Sequence, residues 1–223
     1  MRLNIAGALV DLVIPAICGG CGAANTQWCR RCADLFADDP IELRTSVGLP
    51  VPAYALGRYT AQRRRAILEL KEHGRSDLVD PIGQALAVAL RTLDRWSELP
   101  RCERLILVPA PTRRVSARRR GGDPVTALST AAAKALGPRV ASRSLVFTSA
   151  FARDSAGLSA LARDANLAGA VRNRRGADLS TSDDTAVVLI DDVLTTGTTA
   201  AQTIAVLGRA GMRVDLVLVV AAA

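Results

Sequence analysis

The segment Val187-Val188-Leu189-Ile190-Asp191-Asp192-Val193-Leu194-Thr195-Thr196-Gly197-Thr198-Thr199 constrains the fold more than any other stretch. Its apolar opening does not alternate with polar residues, the pattern of a strand buried on both faces. Such strands belong to parallel sheets with helices on either side. The strand, expected over Ala186 to Ile190, carries Asp191 and Asp192 to its carboxyl end. A turn through Thr195, Thr196, Gly197, Thr198 and Thr199 then enters a helix of about 198–209 that Gly211 stops.

Open α/β sheets bind ligands at the carboxyl ends of their strands. The turn offers backbone N–H groups, four threonine hydroxyls and the positive end of a helix, which together suit a phosphate monoester. Gly197 lets the backbone approach closely. Two carboxylates just before the turn would repel phosphate; they suit hydroxyl donors or a cation. A ribose 5-phosphate carries both features, a 2′,3′-diol and a phosphate. A strand ending in two acids also accompanies the P-loop of nucleotide hydrolases. That loop needs Gly-Lys, and neither Lys71 nor Lys134 follows a glycine. A receiver-type acid pair would stand near the start of its domain with a lysine after it, and neither condition holds.

The rest of the chain alternates strands and helices. Arg104 to Pro109 reads as a short apolar strand, followed by an Arg-rich loop from Thr112 to Arg120. Asp123 caps and Pro124 starts a helix running to about Leu136. A strand near Val140–Phe147, a Gly/Arg/Asp-rich segment over 148–176 and a last strand over Val214–Val220 complete this half. Upstream, Val51 to Tyr59 reads as a strand. Thr60 can cap a helix through Ile67, Leu68 and Leu70 that Gly74 ends, and Asp80-Pro81 opens a helix from Ile82 to Leu93. Residues 3–14 have a helical rhythm ended by Pro15. The expected fold class is α/β, a parallel sheet flanked by helices with a small N-terminal zinc-binding module. The boundary falls near 40–50, giving 1–45 to the module and 46–223 to the α/β domain.

The module rests on cysteine spacing. Four of the five cysteines form two C-x2-C pairs, Cys18/Cys21 and Cys29/Cys32, separated by seven residues. Each pair places two thiolates on one turn, and two such turns complete a tetrahedron around Zn2+. An all-cysteine site leaves no position open for water, so the metal is structural. Two disulfides would suit an exported chain, and a redox C-x-x-C would appear once. Gly19, Gly20 and Gly22 are expected to supply unusual backbone angles in the knuckle. Cys102, alone beside a strand, is expected to be a small core residue.

Arg2 followed by the apolar run Leu3 to Ile17 is similar to an export signal, but Asp11 interrupts it and Ile17 is too large for a cleavage site. No stretch reaches the ~18–20 apolar residues a membrane span needs. The expectation is a soluble, cytoplasmic protein without membrane insertion. Aromatics are only 3% of the chain, so few platforms exist for stacking bases. A net charge of +8 favours an anionic partner without naming it.

The Val187–Thr199 segment resembles the phosphoribosyl-pyrophosphate (PRPP) signature of type I phosphoribosyltransferases. With the cysteine knuckle in front, nearly the whole chain resembles the ComF family, competence-associated proteins of that kind. Leu70-Lys71-Glu72-His73-Gly74 is similar to the family's Lys-Tyr-x-Gly stretch, and Leu107-Val108-Pro109-Ala110-Pro111 to its Val-Pro-Val-Pro loop. Arg118-Arg119-Arg120-Gly121, Gly157-Leu158-Ser159, Arg163 and Asn166 to Ala170 match further family stretches in order.

The resemblance implies roles. Asp191 and Asp192 would hold the ribose hydroxyls, and Thr195, Thr196, Gly197, Thr198 and Thr199 the 5-phosphate. After Pro109, residues Ala110, Pro111, Thr112 and Arg113 would form the pyrophosphate loop. Residues 148–172 would close over the site and exclude water. Arg153, Arg163, Arg172 or Lys71 would neutralise the departing pyrophosphate. Lys71, Arg163 and the two acids thus make the expected catalytic set. Mg2+ would bridge diphosphate and ribose oxygens. Where the family reads Arg-Gly-Phe-Asn-Gln, this chain has Arg120-Gly121-Gly122-Asp123-Pro124, and near 154–155 an expected Gln is replaced by Asp154-Ser155. The resemblance implies that the aromatic and two amide groups lost would face an acceptor or a base. His73, the only histidine, reads as a helix C-terminal residue.

Two functions follow from the resemblance. One is a Mg2+-dependent phosphoribosyltransferase linked to natural competence and DNA uptake. The alternative is a non-catalytic, PRPP-bound module that grips single-stranded DNA during transformation alongside the competence machinery. Basic runs at Arg63–Arg65, Arg113–Arg120 and Arg172–Arg175 would then contact phosphates.

Overall fold

A computed structural model describes residues 16–111, 123–148, 171–174, 176–177, 179 and 181–223. The expected helix over 3–14, the loop Thr112–Arg120, Arg153 and Arg163 lie outside these residues.

Eight strands and five helices are described: α1 (Arg30–Phe36), β1 (Ile41–Glu42), β2 (Ala53–Ala55), α2 (Ala61–Glu72), α3 (Val79–Arg95), β3 (Arg104–Pro109), α4 (Pro124–Leu136), β4 (Val140–Ser142), β5 (Val146–Thr148), β6 (Val171–Asn173), β7 (Thr185–Leu194), α5 (Thr198–Arg209) and β8 (Leu216–Ala222). A 3-10 turn over Ser76–Leu78 leads into α3. Six strands form one sheet in the order β1-β2-β8-β7-β3-β4, parallel except for β1, and β5 and β6 form a separate antiparallel ribbon.

Strand alternation divides the core into two layers. Leu107, Val188, Ile190, Leu216 and Leu218 face α2, α3 and α4, and Phe36 of the knuckle joins this layer. Ile106, Val108, Val187, Leu189 and Val217 face α5 and the β5–β6 ribbon. Each fully buried Leu or Ile contributes on the order of 1.5–3 kcal/mol against its exposed state. Close approach of α3 and α4 depends on Gly83, where a Cβ would stand 2.5 Å from that of Ala131.

The two layers fix where a crevice opens. From β3 the chain crosses through α4 on one face to the edge strand β4. From β7 it crosses through α5 on the other face to β8. The connections diverge between β3 and β7, and an open α/β sheet leaves its ligand crevice at the carboxyl ends of such strands.

Several local expectations are corrected. The expected strand over Val140–Phe147 is two strands in different sheets: β4 pairs with β3 as far as the Arg143 N–H to Leu107 O bond, and β5 pairs instead with β6. The strand expected over Val51–Tyr59 narrows to Ala53–Ala55, flanked by Pro52, which has no donor. The strand β7 runs on to Leu194, because β8 keeps pairing with Val193 and Leu194; the two acids lie inside it. The helix α3 starts at Val79, extending the 3-10 turn, with Pro81 in its first turn. Thr60 stands at the N-cap of α2, but only its carbonyl is used, accepting from Arg64 N–H. Among the described residues, no helix is long and apolar enough to cross a membrane.

Candidate functional site

The pairing of β3 with β7 brings the sequence-predicted residues together. Pro109 lies opposite Ile190, and Ala110 N–H donates to Ile190 O at 2.7 Å. Ala110 and Pro111 therefore flank the acids. Pro111 O also accepts a long bond from Thr148 Oγ1 at 3.4 Å, which ties the β5–β6 ribbon to this end of the sheet. Thr112, Arg113 and Arg163, all expected at the site, lie outside the described residues.

The two acids have different surroundings. Asp192 turns toward α2, where Lys71 Nζ meets its Oδ2 at 2.6 Å. Asp191 Oδ1 accepts the backbone N–H of Asp192 at 2.8 Å. As a residue Asp191 keeps a partial opening to solvent, yet its carboxyl is well shielded. Burial, then the charge of Asp192, raises it from the ordinary value of 3.8 to about 8; the Asp192 N–H and Lys71 oppose the rise, and Asp123 at the N-cap of α4 adds to it. A carboxyl in this setting suits a hydroxyl partner better than a bare cation. The ammonium of Lys71 already occupies the place where a cation would face Asp192.

The Thr/Gly turn gathers hydroxyl and backbone N–H donors at the start of α5. Gly197 has φ +90°, a left-handed angle that costs other residues energy, and it caps α5. A Cβ there would come within 3.1 Å of Thr45 Cβ. Thr196 Oγ1 and Thr198 Oγ1 lie 2.9 Å apart. Among the described residues, no acceptor meets the backbone N–H of Thr195, Thr196, Gly197 or Thr199. The orphan donors of a helix start are thereby left facing outward. The carbonyl side of the turn is occupied: Thr196 O accepts from Val47 N–H at 3.1 Å and from Ser46 Oγ at 3.3 Å. Sequence reasoning did not find this brace from the segment after β1, about 150 positions upstream in the chain.

The four knuckle cysteines converge, with ligand atoms within 4.8 Å of one another. Sulfurs tetrahedral around Zn2+ at ~2.3 Å would stand about 3.8 Å apart, so small shifts close the site. Cys29 N–H points at Cys18 Sγ at 3.4 Å, the outer-shell bond expected beneath a thiolate ligand. Burial raises the Cys18 thiol, but N–H groups of Cys21, Cys29 and Gly20 outweigh it and bring it to about 6. Burial and the neighbouring thiols push Cys32 far up. The Cys18 thiol is thus poised to ionise, while Cys32 would need a cation to do so. The cluster can hold a metal ion such as zinc.

Gly22 has the left-handed angle expected of a knuckle glycine, with φ +80°. Gly19 and Gly20 do not; they are needed for space. A Cβ on Gly19 would meet Leu78 Cδ2 at 2.5 Å, and one on Gly20 would meet Cys32 Sγ at 2.6 Å. The knuckle is thereby seated on the 3-10 turn before α3, and Arg75 adds a bond to Ile17 O at 3.1 Å.

Two further expectations change. Cys102 is exposed rather than part of the core, since it lies in the Pro100–Arg101 approach to β3 before pairing begins. Arg63 is no solvated phosphate contact. It is 5% exposed, its Nη2 donates to Leu35 O at 2.5 Å and Leu56 O at 2.8 Å, and its guanidinium lies 5.5 Å from the Phe36 ring centroid. Burial lowers its pKa, and Asp38 opposes that. Arg65 pairs with Glu69 at 3.7 Å, leaving Arg64 as the exposed member of that run. His73 is the C-cap of α2, with Nδ1 3.3 Å from Glu69 Oε2.

No protein-family model matches the chain, and no curated protein matches it. The site itself therefore has to carry the functional argument.

Proposed function

We propose that this protein binds PRPP at the carboxyl ends of β3 and β7 and transfers its phosphoribosyl group to an acceptor. The carrying observation is the adjacency of two unlike groups on one strand–turn–helix unit. Asp191 and Asp192 lie near the carboxyl end of β7, and a turn in which the N–H groups of Thr195, Thr196, Gly197 and Thr199 meet no acceptor among the described residues follows three residues later. A diol beside the acids and a 5-phosphate on the turn satisfy both. On this reading the α/β domain is of the type I phosphoribosyltransferase kind, and the sheet order supports it.

In transfer, the bond from C1 of the ribose to pyrophosphate oxygen breaks, and its electron pair leaves with the pyrophosphate. A lone pair of the acceptor forms the new bond to C1, and the acceptor's proton passes to solvent. Lys71, beside the acids, contributes positive charge near the ribose. Mg2+ would arrive on the diphosphate, since Asp192 is already paired, and would supply charge neutralisation there. The cysteine cluster would hold a structural zinc. The link to competence and DNA uptake rests on the ComF resemblance alone.

Pyrophosphate release, measured with PRPP, Mg2+ and a panel of purine, pyrimidine and amine acceptors, tests transfer. Release that needs one acceptor and is lost in Asp191→Asn supports it. Tight PRPP binding without release for any acceptor favours the non-catalytic alternative.

A further inference from the structure

A sizeable cavity lies away from the carboxyl ends of the strands. It is a cleft of about 830 Å3 at their amino ends, lined from β3, β4 and the start of β7. One strand length, about 17–20 Å for six residues, separates it from the acids.

Its floor and rim follow from register. Thr185 on β7 pairs with Arg104 on β3, and Leu105 N–H donates to Arg139 O, which sets Arg139 beside Arg104. Side chains two apart share a face, so Ile106 and Ala141 lie one step further along the same side. Ile106 belongs to the layer facing α5 and is only 4% exposed, so it meets the cleft at its edge, while Ala141 on the edge strand is exposed. Ser142, on the opposite face, bonds Ser129 of α4 instead. The result is an apolar floor with a row of Thr185, Arg104 and Arg139 across one end, and Arg143 beyond Ala141.

The charge is unbalanced. Among the described lining residues, three arginines stand against one acid, Glu103. Arg104 and Arg139 are exposed neighbours, and neither makes an ion pair among the described residues. Like charges side by side on adjacent strands destabilise a sheet. The Ser182–Thr185 turn, closed by a 2.9 Å hydroxyl bond, adds neutral polar groups to the wall. The cavity's size matches a ligand of nucleotide dimensions. Among the described lining residues there is no aromatic ring to stack successive bases, which disfavours a nucleic-acid strand. The adjoining smaller cavity balances Arg101 and Arg213 with Asp183 and Asp215, so the positive charge does not continue as a track.

We propose that this amino-end cleft is a second, separate anion site, which takes a phosphate-bearing small molecule of nucleotide size: phosphate on Arg104 and Arg139, apolar body on Ile106 and Ala141. It is independent of the proposed PRPP pocket.

Calorimetry of the full chain at low salt tests it, with AMP as probe. Two variants are compared: Arg104→Gln/Arg139→Gln, and Thr196→Ala/Thr198→Ala, which impairs the carboxyl-end turn. The proposal expects AMP affinity to fall about tenfold or more in the arginine variant, because two charge-assisted forks are lost, and to persist in the threonine variant. Arg104→Lys/Arg139→Lys, which keeps the charge and the fold, should still lose several-fold. Unchanged affinity in both arginine variants overturns the proposal. So does AMP binding that disappears only in the threonine variant. A twelve-nucleotide oligothymidylate that binds more tightly than AMP, in an arginine-dependent and steeply salt-dependent way, also overturns it in favour of a nucleic-acid surface.

Discussion

Lys71 Nζ sits 2.6 Å from Asp192 Oδ2, joining the last turn of α2 to β7 near its carboxyl end. The Asp192 side chain is 8% exposed and that of Lys71 28%, so solvent screens the pair only in part. The contact places a positive charge beside the acid pair and ties α2 to β7 over the crevice.

Lys71→Met should therefore destabilise the fold by about 2 kcal/mol, below the range for fully buried pairs because of the partial exposure of Lys71. Lys71→Met/Asp192→Asn should recover most of that loss, since no buried charge is left alone. Urea midpoints of the three proteins decide it. An equal loss in the double variant would mean the ion pair is not the cause.

The Asp191 carboxyl is raised from 3.8 to about 8 by burial and by Asp192. A group raised on folding contributes stability that is fully present below its unfolded value and is lost as pH rises through its folded one. Stability should thus decline from about pH 4 to pH 8 in the wild-type protein and decline less in Asp191→Asn. At pH 9 the variant should be the more stable of the two. Parallel pH profiles in denaturant titrations would contradict this origin.

Metal analysis of the purified chain should find about one zinc per chain, and chelation should lower the melting temperature. Cys102→Ser should leave the stoichiometry unchanged, because Cys102 is outside the cluster. Gly20→Ala keeps every thiol but sets a methyl 2.6 Å from Cys32 Sγ, so metal affinity should fall. Full affinity in Gly20→Ala would show that the knuckle is looser than described.

Arg63→Met should cost about 2–3 kcal/mol, because it strands the Leu35 and Leu56 carbonyls. Arg64→Gln should cost less than about 0.5 kcal/mol, as exposed substitutions do. If Arg63→Met is neutral, the bond from α2 to the knuckle helix is not a structural tie.

The elements with strong local signals were readable. The strand over Arg104–Pro109 and the helix over Thr198–Arg209 were expected at those bounds. Asp123 does cap α4, accepting Val125 N–H at 3.1 Å. Where local signals compete with tertiary contacts, the expectation slipped, as at Val140–Phe147. The site was readable as a strand, a turn and a helix, because that unit is contiguous. The partner of Asp192 was not, since Lys71 reaches it only through the packing of α2. Arg63 had a signal that was overlooked: it stands four before Ile67 and seven before Leu70, on the apolar stripe of α2. Its basic neighbours disguised a core position as a surface run.

The most direct measurement is calorimetric titration of the full chain with PRPP in Mg2+, comparing wild type with Gly197→Ala and Asp191→Asn/Asp192→Asn. The account predicts one site per chain. Gly197→Ala should weaken it at least tenfold, since a Cβ at φ +90° strains the turn against Thr45, and the double acid variant should show no measurable heat. No binding by the wild-type protein, or equal affinity in all three, would contradict it.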